Sequence, residues 1–92
     1  MYRIIYTKRM KKDVRLLKKR GKDISKLVYV LDLLKAGEPL PEKYRDHQLE
    51  GSLNDFRECH IENDWLLVYQ IDKGELILFA TATGTHSDIF GK

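Results

Sequence analysis

Three histidines, His47, His60 and His86, are the residues on which proton chemistry near neutrality would rest. An imidazole with an unperturbed pKa of about 6.5 both takes and gives a proton in that range. His60 stands in the run Arg57-Glu58-Cys59-His60-Ile61-Glu62-Asn63-Asp64-Trp65, where an arginine and three acids border a turn. His47 and His86 lie in loop-like stretches on either side, and all three histidines are expected to converge on one site. Cleavage of RNA by attack of its own 2′-hydroxyl asks for such a set. It needs a base for that hydroxyl, an acid for the leaving 5′-oxygen and positive charge for the phosphorane-like transition state. That chemistry requires neither a metal nor a nucleophilic side chain, and the three histidines, Asp64 and Arg57 fill its roles. Taken one at a time, each histidine reads more simply as a surface or hydrogen-bonded structural residue.

Other chemistries fit less well. Cys59, His60, His47 and His86 are zinc-ligand types, but no C-x₂-C or H-x₃-H pair exists. Cys59 and His60 are adjacent, so on a strand they point to opposite faces, which also removes a cysteine–histidine nucleophilic pair. Cys59 is then a small core residue. Trp65 opens an apolar strand and reads as core, with substrate contact as its other reading. Phe90 follows polar residues and suits stacking on an RNA base. Gly84, two residues before His86, marks a sharp turn or a close backbone approach.

The elements that hold these residues follow from periodicity. Tyr2 to Tyr6 is a short β-branched and aromatic strand. Thr7 caps a helix to Arg20, with Gly21 as its stop and Met10, Val14, Leu17 and Gly21 on one face. Asp23 caps a second helix, from Ile24 to about Ala36, whose apolar stripe is Ile24, Leu27, Val28, Leu31 and Leu34. Val30 and Leu33 fall off that stripe. Gly37 ends this helix, and Pro39 and Pro41 prevent its resumption. From Gly37 to Asp55 no period is visible, and a connection this long in a small domain is often functional. Leu40 and Leu49 are expected to pin it to the core. Three strands follow, Phe56–Ile61, Trp65–Ile71 and Glu75–Thr83, with a hairpin turn at Asp72-Lys73-Gly74. The middle one is nearly all apolar, as a strand buried on both faces would be. The tail Gly84–Lys92 carries no assigned element. The order β-α-α-β-β-β predicts an α+β fold, two helices on a mainly antiparallel four-stranded sheet, in one domain spanning residues 1–92.

Composition bounds the partners. The chain has 92 residues and 42% hydrophobic content, enough for one modest core. It shows no apolar run of membrane-spanning length and no secretory signal. One cysteine excludes an internal disulfide and fits a reducing cytoplasm. Net charge is +3, unevenly spread. Through Lys26 there are 11 Lys and Arg against Asp13 and Asp23, giving +9; the remainder has 6 basic and 12 acidic residues, giving −6. Lys8, Lys11, Lys12, Arg15, Lys18 and Lys19 cover the polar sides of the first helix. They form either a solvated face or a surface for a polyanion.

Three blocks carry a resemblance. Tyr44-Arg45-Asp46-His47-Gln48-Leu49-x-Gly51, Phe56-Arg57-Glu58-Cys59-His60-Ile61-x-x-Asp64-Trp65-Leu66-Leu67-Val68-Tyr69 and Thr83-Gly84-Thr85-His86-Ser87-Asp88-Ile89-Phe90 resemble, in order, the YafQ branch of the RelE/ParE toxin superfamily. The resemblance covers essentially the whole chain. It implies a bacterial toxin of a type II toxin–antitoxin pair that enters the ribosomal A site and cuts mRNA. No cofactor or metal is implied, and the product carries a 2′,3′-cyclic phosphate. It implies a DinJ/RelB-like antitoxin partner and a cytoplasmic location. By position, His47, His60, Asp64, His86 and Phe90 match the family's active-site set. The expected roles are His86 as acid and His47 as base, with His60 and Asp64 orienting the 2′-hydroxyl or sharing the proton transfer. Phe90 positions a base, Arg57, Arg45 and Trp65 contact substrate, and the lysine-rich helix contacts ribosomal RNA. The family often has an arginine two residues before the glycine of Gly-x-His. Here that residue is Ala82, so the clamp on the scissile phosphate must come from Arg57, Arg45 or a lysine. Loss of one such donor typically costs on the order of 10²–10³ in rate.

Two other readings share the fold. A gyrase poison of the ParE kind would need no proton shuttle, and a module that only binds its antitoxin would explain Ala82.

Overall fold

The computed structural model describes residues 1–91. The elements run β1 (Arg3–Tyr6), α1 (Lys8–Lys19), α2 (Ile24–Lys35), β2 (His47–Gln48), β3 (Arg57–Glu62), β4 (Trp65–Asp72), β5 (Ile77–Gly84) and α3 (His86–Phe90). Short 3₁₀ turns at Glu42–Tyr44 and Gly51–Leu53 bracket β2.

Helix starts follow their caps. The Thr7 side chain accepts the Met10 N–H at 3.0 Å, and Asp23 accepts the Ser25 N–H at 3.1 Å. Gly21 and Gly37, at φ +82° and +80°, end the two helices where a side chain would be strained. Both helices lie on one face of the sheet. Met10, Leu17, Leu27, Val30, Leu31 and Leu34 pack there with Cys59, Ile61, Trp65, Leu67, Tyr69, Leu78 and Ala80. On α2 the expected stripe is rotated. Val30 is fully buried, while Val28 is 47% exposed and lines an open groove with Val14 and Lys18 of α1. Leu40 packs on this core, as expected. Leu49 instead joins Phe56 and Val68 on the opposite face.

The sheet has five strands, not four, in the order β1-β5-β4-β3-β2. The extra one, β2, is only His47–Gln48, paired antiparallel with Glu58 and Arg57. Two residues are too few to show a period, and their pairing partner lies some ten positions away. β4 is central and buried from Trp65 to Val68 and on to Tyr69, as its composition indicated. β1 runs parallel to β5, Arg3 beside Ile77 and Tyr6 beside Ala80, while the other pairs are antiparallel. The β4–β5 turn is longer than expected. Leu76 takes φ +56°, and β5 begins at Ile77.

Two register irregularities shape the end of the sheet that carries the histidines, the first between His60 and Glu62 of β3. The β4–β5 register shifts between Val68 and Tyr69, where Tyr69 pairs with Ala80 and Val68 with Ala82. The bulged residue, Thr81, reverses the alternation of β5. Ala82 therefore shares the open face with Val68, and Thr83 faces the helices, where its N–H meets Asp13 at 3.1 Å. The tail then forms α3, an element that periodicity does not predict. Lys92 lies outside the described residues.

Candidate active site

α3 starts where it does because Thr85 and Asp88 form a capping box. The Asp88 N–H donates to the Thr85 hydroxyl at 3.0 Å, and the Thr85 N–H donates to the Asp88 carboxylate at 2.9 Å. That start aims His86 at Asp64, in the β3–β4 turn. Asp64 Oδ1 accepts both the His86 backbone N–H, at 3.0 Å, and the ring at Nδ1, at 2.6 Å. The backbone donor first, and the ring second, hold the Asp64 carboxyl below the usual carboxylate range. An ionised carboxylate only accepts, so Nδ1 carries a proton and Nε2 is the nitrogen left for a substrate.

His60 projects from β3 with its ring 5.9 Å from that of His86. Its Nδ1 accepts from the Arg45 guanidinium at 3.5 Å. Arg45 also fixes His47, whose Nδ1–H donates to the Arg45 carbonyl at 2.8 Å. To do both, Arg45 adopts φ 48°, ψ 47°, a left-handed conformation that costs a non-glycine residue about 1–2 kcal/mol. One residue thus sets the orientation of two histidines. The three histidines, Asp64 and Arg45 form a single exposed cluster, as the residue types suggested.

Glu58 joins this cluster, although residue type alone does not single it out. It pairs across the sheet with His47, and its Oε2 lies 3.5 Å from His47 Nε2. Its side chain is only 8% exposed, and Oε1 makes no hydrogen bond within the chain. A proton taken up on Nε2 would arrive beside that carboxylate. The signal for Glu58 was its spacing, two residues before His60 on a strand and therefore on the same face.

Other expected residues fall elsewhere. Arg57 points to the helix side with Cys59 and Ile61. It donates to Asp46 at 3.2 Å, and Asp46 also accepts the Tyr69 hydroxyl. Period-two alternation separates it from His60, so it is a structural anchor for the β2 connection. Trp65 is corrected from a substrate contact to core. It is 1% exposed, with its indole N–H donating to the Thr83 hydroxyl at 2.9 Å and Lys22 above its ring. Burial pushes the Cys59 thiol well above its ordinary pKa, which suits packing and not nucleophilic attack. Among the described residues no group of three or more His, Cys, Asp or Glu is arranged to hold a metal ion. Phe90 is 39% exposed and, with Ala82, Val68 and Phe56, lines a cleft of about 150 Å³ whose charged member is Arg9. Lys8, Lys11, Lys12, Arg15, Lys18 and Lys19 are all exposed along α1.

The geometry has counterparts. Residues 2–91 match the family described as bacterial toxin of type II toxin–antitoxin system, YafQ. The mRNA interferase toxin YafQ of Escherichia coli K12 is 43% identical over 89 residues, 96% of this chain and 95% of that protein. The E. coli DinJ–YafQ complex superposes with a TM-score of 0.89 at 40% identity, covering 99% of this chain and 100% of the matched one. A metal-bound toxin from Helicobacter pylori superposes at 0.92 with 47% identity, covering 98% and 100%.

Proposed function

This chain belongs to the YafQ family of bacterial type II toxin–antitoxin toxins, and from that premise we propose that it is an mRNA interferase. It cuts mRNA on the ribosome, and an antitoxin of the DinJ kind binds and silences it. The observation that carries the reading is a pair of histidine–carboxylate units, His86–Asp64 and His47–Glu58, on either side of His60 and Arg45.

The arrangement accounts for each transfer in the reaction. The 2′-oxygen attacks the adjacent phosphorus while the bond to the 5′-oxygen breaks, leaving a 2′,3′-cyclic phosphate and a free 5′-hydroxyl. His47 Nε2 takes the proton of the attacking hydroxyl, beside Glu58. His86 Nε2 gives a proton to the departing oxygen, with Asp64 holding the ring. Such acid–base help is typically worth about 10²–10⁴-fold for each group. Arg45, not Arg57, supplies the charge that Ala82 lacks, because it stands against His60. Phe90 stacks on a neighbouring base. The cationic face of α1 meets ribosomal RNA phosphates. No helix among the described residues is long and apolar enough to cross a membrane, and the proposed target places the protein in the cytoplasm.

The test is a translation extract programmed with one mRNA and given wild-type protein or His86→Ala, with cuts mapped by primer extension. Ribosome-dependent cuts by the wild type alone are expected. Absence of cuts by either, with translation unaffected, would sink the nuclease reading and favour a gyrase-type target or a module that only binds antitoxin.

A further inference from the structure

Beside His60, on the α2 side of the cluster, the surface opens into a groove of about 570 Å³ whose far wall, from Ser25 to Tyr44, has no part in the roles above. Its walls carry Tyr29 from α2, Tyr44 from the 3₁₀ turn, and Lys26, Lys43 and Arg45. His60 is part of the wall, so the groove is continuous with the reacting centre. Tyr29 stands 55% exposed on a helix that buries Leu27, Val30, Leu31 and Leu34. Lys43 Nζ lies 5.1 Å above the ring of Tyr44. The one acid in the wall, Glu62, is already matched by Lys22 at 3.1 Å and Lys26 at 2.7 Å. Lys43 and Arg45 are then the cations of the wall that this carboxylate does not engage.

Aromatic faces interleaved with cations are the chemistry that holds single-stranded RNA, bases stacking on rings and phosphates meeting charge. A folded protein segment would instead seek a continuous apolar floor, and this wall is mixed. We propose that the groove is a subsite for the stretch of single-stranded RNA adjoining the scissile phosphate. One base stacks on the exposed ring of Tyr29, and the following phosphate meets Lys43, while Arg45 stays with the scissile one. The subsite rests on the endonuclease reading and extends it: the strand is gripped on both sides of the cut, by Phe90 on one and by this groove on the other.

Tyr29 and Lys43 are exposed, so Tyr29→Ala and Lys43→Ala leave the fold intact, checked by circular dichroism. Cleavage is measured on mRNA-programmed ribosomes over a range of toxin concentrations, with binding of purified antitoxin measured in parallel. The concentration for half-maximal rate should rise about tenfold or more in Tyr29→Ala, the range expected for loss of one base stack, and should also rise in Lys43→Ala, which loses a phosphate contact. The saturating rate should be retained, and Tyr29→Phe should behave as wild type. Cleavage by the wild type with unchanged half-maximal concentrations in the variants would overturn the subsite while leaving the nuclease reading standing. Weakened antitoxin binding with unaltered cleavage would also overturn it and assign the groove to the antitoxin. No cleavage by the wild type would remove both readings together.

Discussion

Glu58 is the residue at which stability and activity pull apart. A carboxyl group buried to this degree, with one oxygen making no hydrogen bond within the chain, has left water without regaining all its partners, which costs stability. Glu58→Gln removes the charge at constant size. It should hold or raise the melting temperature, by about 4–8 °C for each kcal/mol recovered. It should also lower the cleavage rate by about 10–100-fold, as loss of a carboxylate that orients a histidine does elsewhere. Calorimetry and single-turnover cleavage on one preparation read both; a fall in both would make Glu58 merely structural. At this scale the sequence is most legible for residues whose type declares their chemistry. The three histidines and Asp64 meet as their proton chemistry suggested. Arg57 and Trp65 fall away from the site because residue type says nothing of which face a side chain takes. The left-handed backbone of Arg45 has no signature in an arginine.

Among the elements, α3 carries His86, the proposed acid, and Phe90, the proposed stacking ring, yet it is only His86–Phe90, too short to stand alone. It is held from outside. Arg20 on the α1 cap reaches the Asp88 carboxylate with two nitrogens, at 2.7 and 3.1 Å, and Arg9 donates to the Asp88 carbonyl at 2.8 Å. Gly84 lets this happen. Its φ is +152°, and a Cβ there would lie 2.8 Å from the Asp88 carboxylate. Gly84→Ala should therefore displace α3 and reduce cleavage by at least tenfold, while antitoxin-free protein remains folded by circular dichroism. Full activity of this variant would mean that α3 needs no such fit. Acid should release the same clamp, with a definite sign. The guanidinium of Arg20 first, and the Thr85 N–H second, hold the Asp88 carboxyl well below its ordinary range. A lowered folded-state pKa contributes stability above the unfolded value, about 3.9, and loses it as pH falls through the folded one. Signals of α3 followed by NMR should stay native from pH 7 to about 4 and shift only in stronger acid. The capping residues Thr85 and Asp88 are visible in the sequence. What hides α3 is its length, which leaves no room for a period.

For the molecule as a whole, charge is the property that the composition showed and the fold confirms. The exposed cations of α1 gather on one helix, while acids concentrate after Lys26. Binding to ribosomes should weaken with salt, and replacing Lys11, Lys12 and Arg15 by Glu should flatten the log–log slope by about 0.7–0.9 for each phosphate no longer neutralised. Sedimentation of toxin with ribosomes across a salt series gives that slope; an unchanged slope would put the ribosome on another face. The α+β class and the two helices on one sheet face are legible from periodicity and caps. Strand order is not, because the pairing of β1 with β5 depends on the closure of the whole chain and on no local pattern.

That pairing also fixes the order of events in folding. Arg3 meets Ile77 across 74 positions, and closing a loop of that size costs about 4 kcal/mol in chain entropy before any contact compensates. Contacts so distant form late. α3 hangs from β5 and is clamped to Arg9 and Arg20, so His86 reaches its place only when the two ends of the chain have come together. A partly folded chain, whether emerging from synthesis or opened by stress, holds His47 and His60 without their partner. Cleavage is therefore expected of the finished molecule alone.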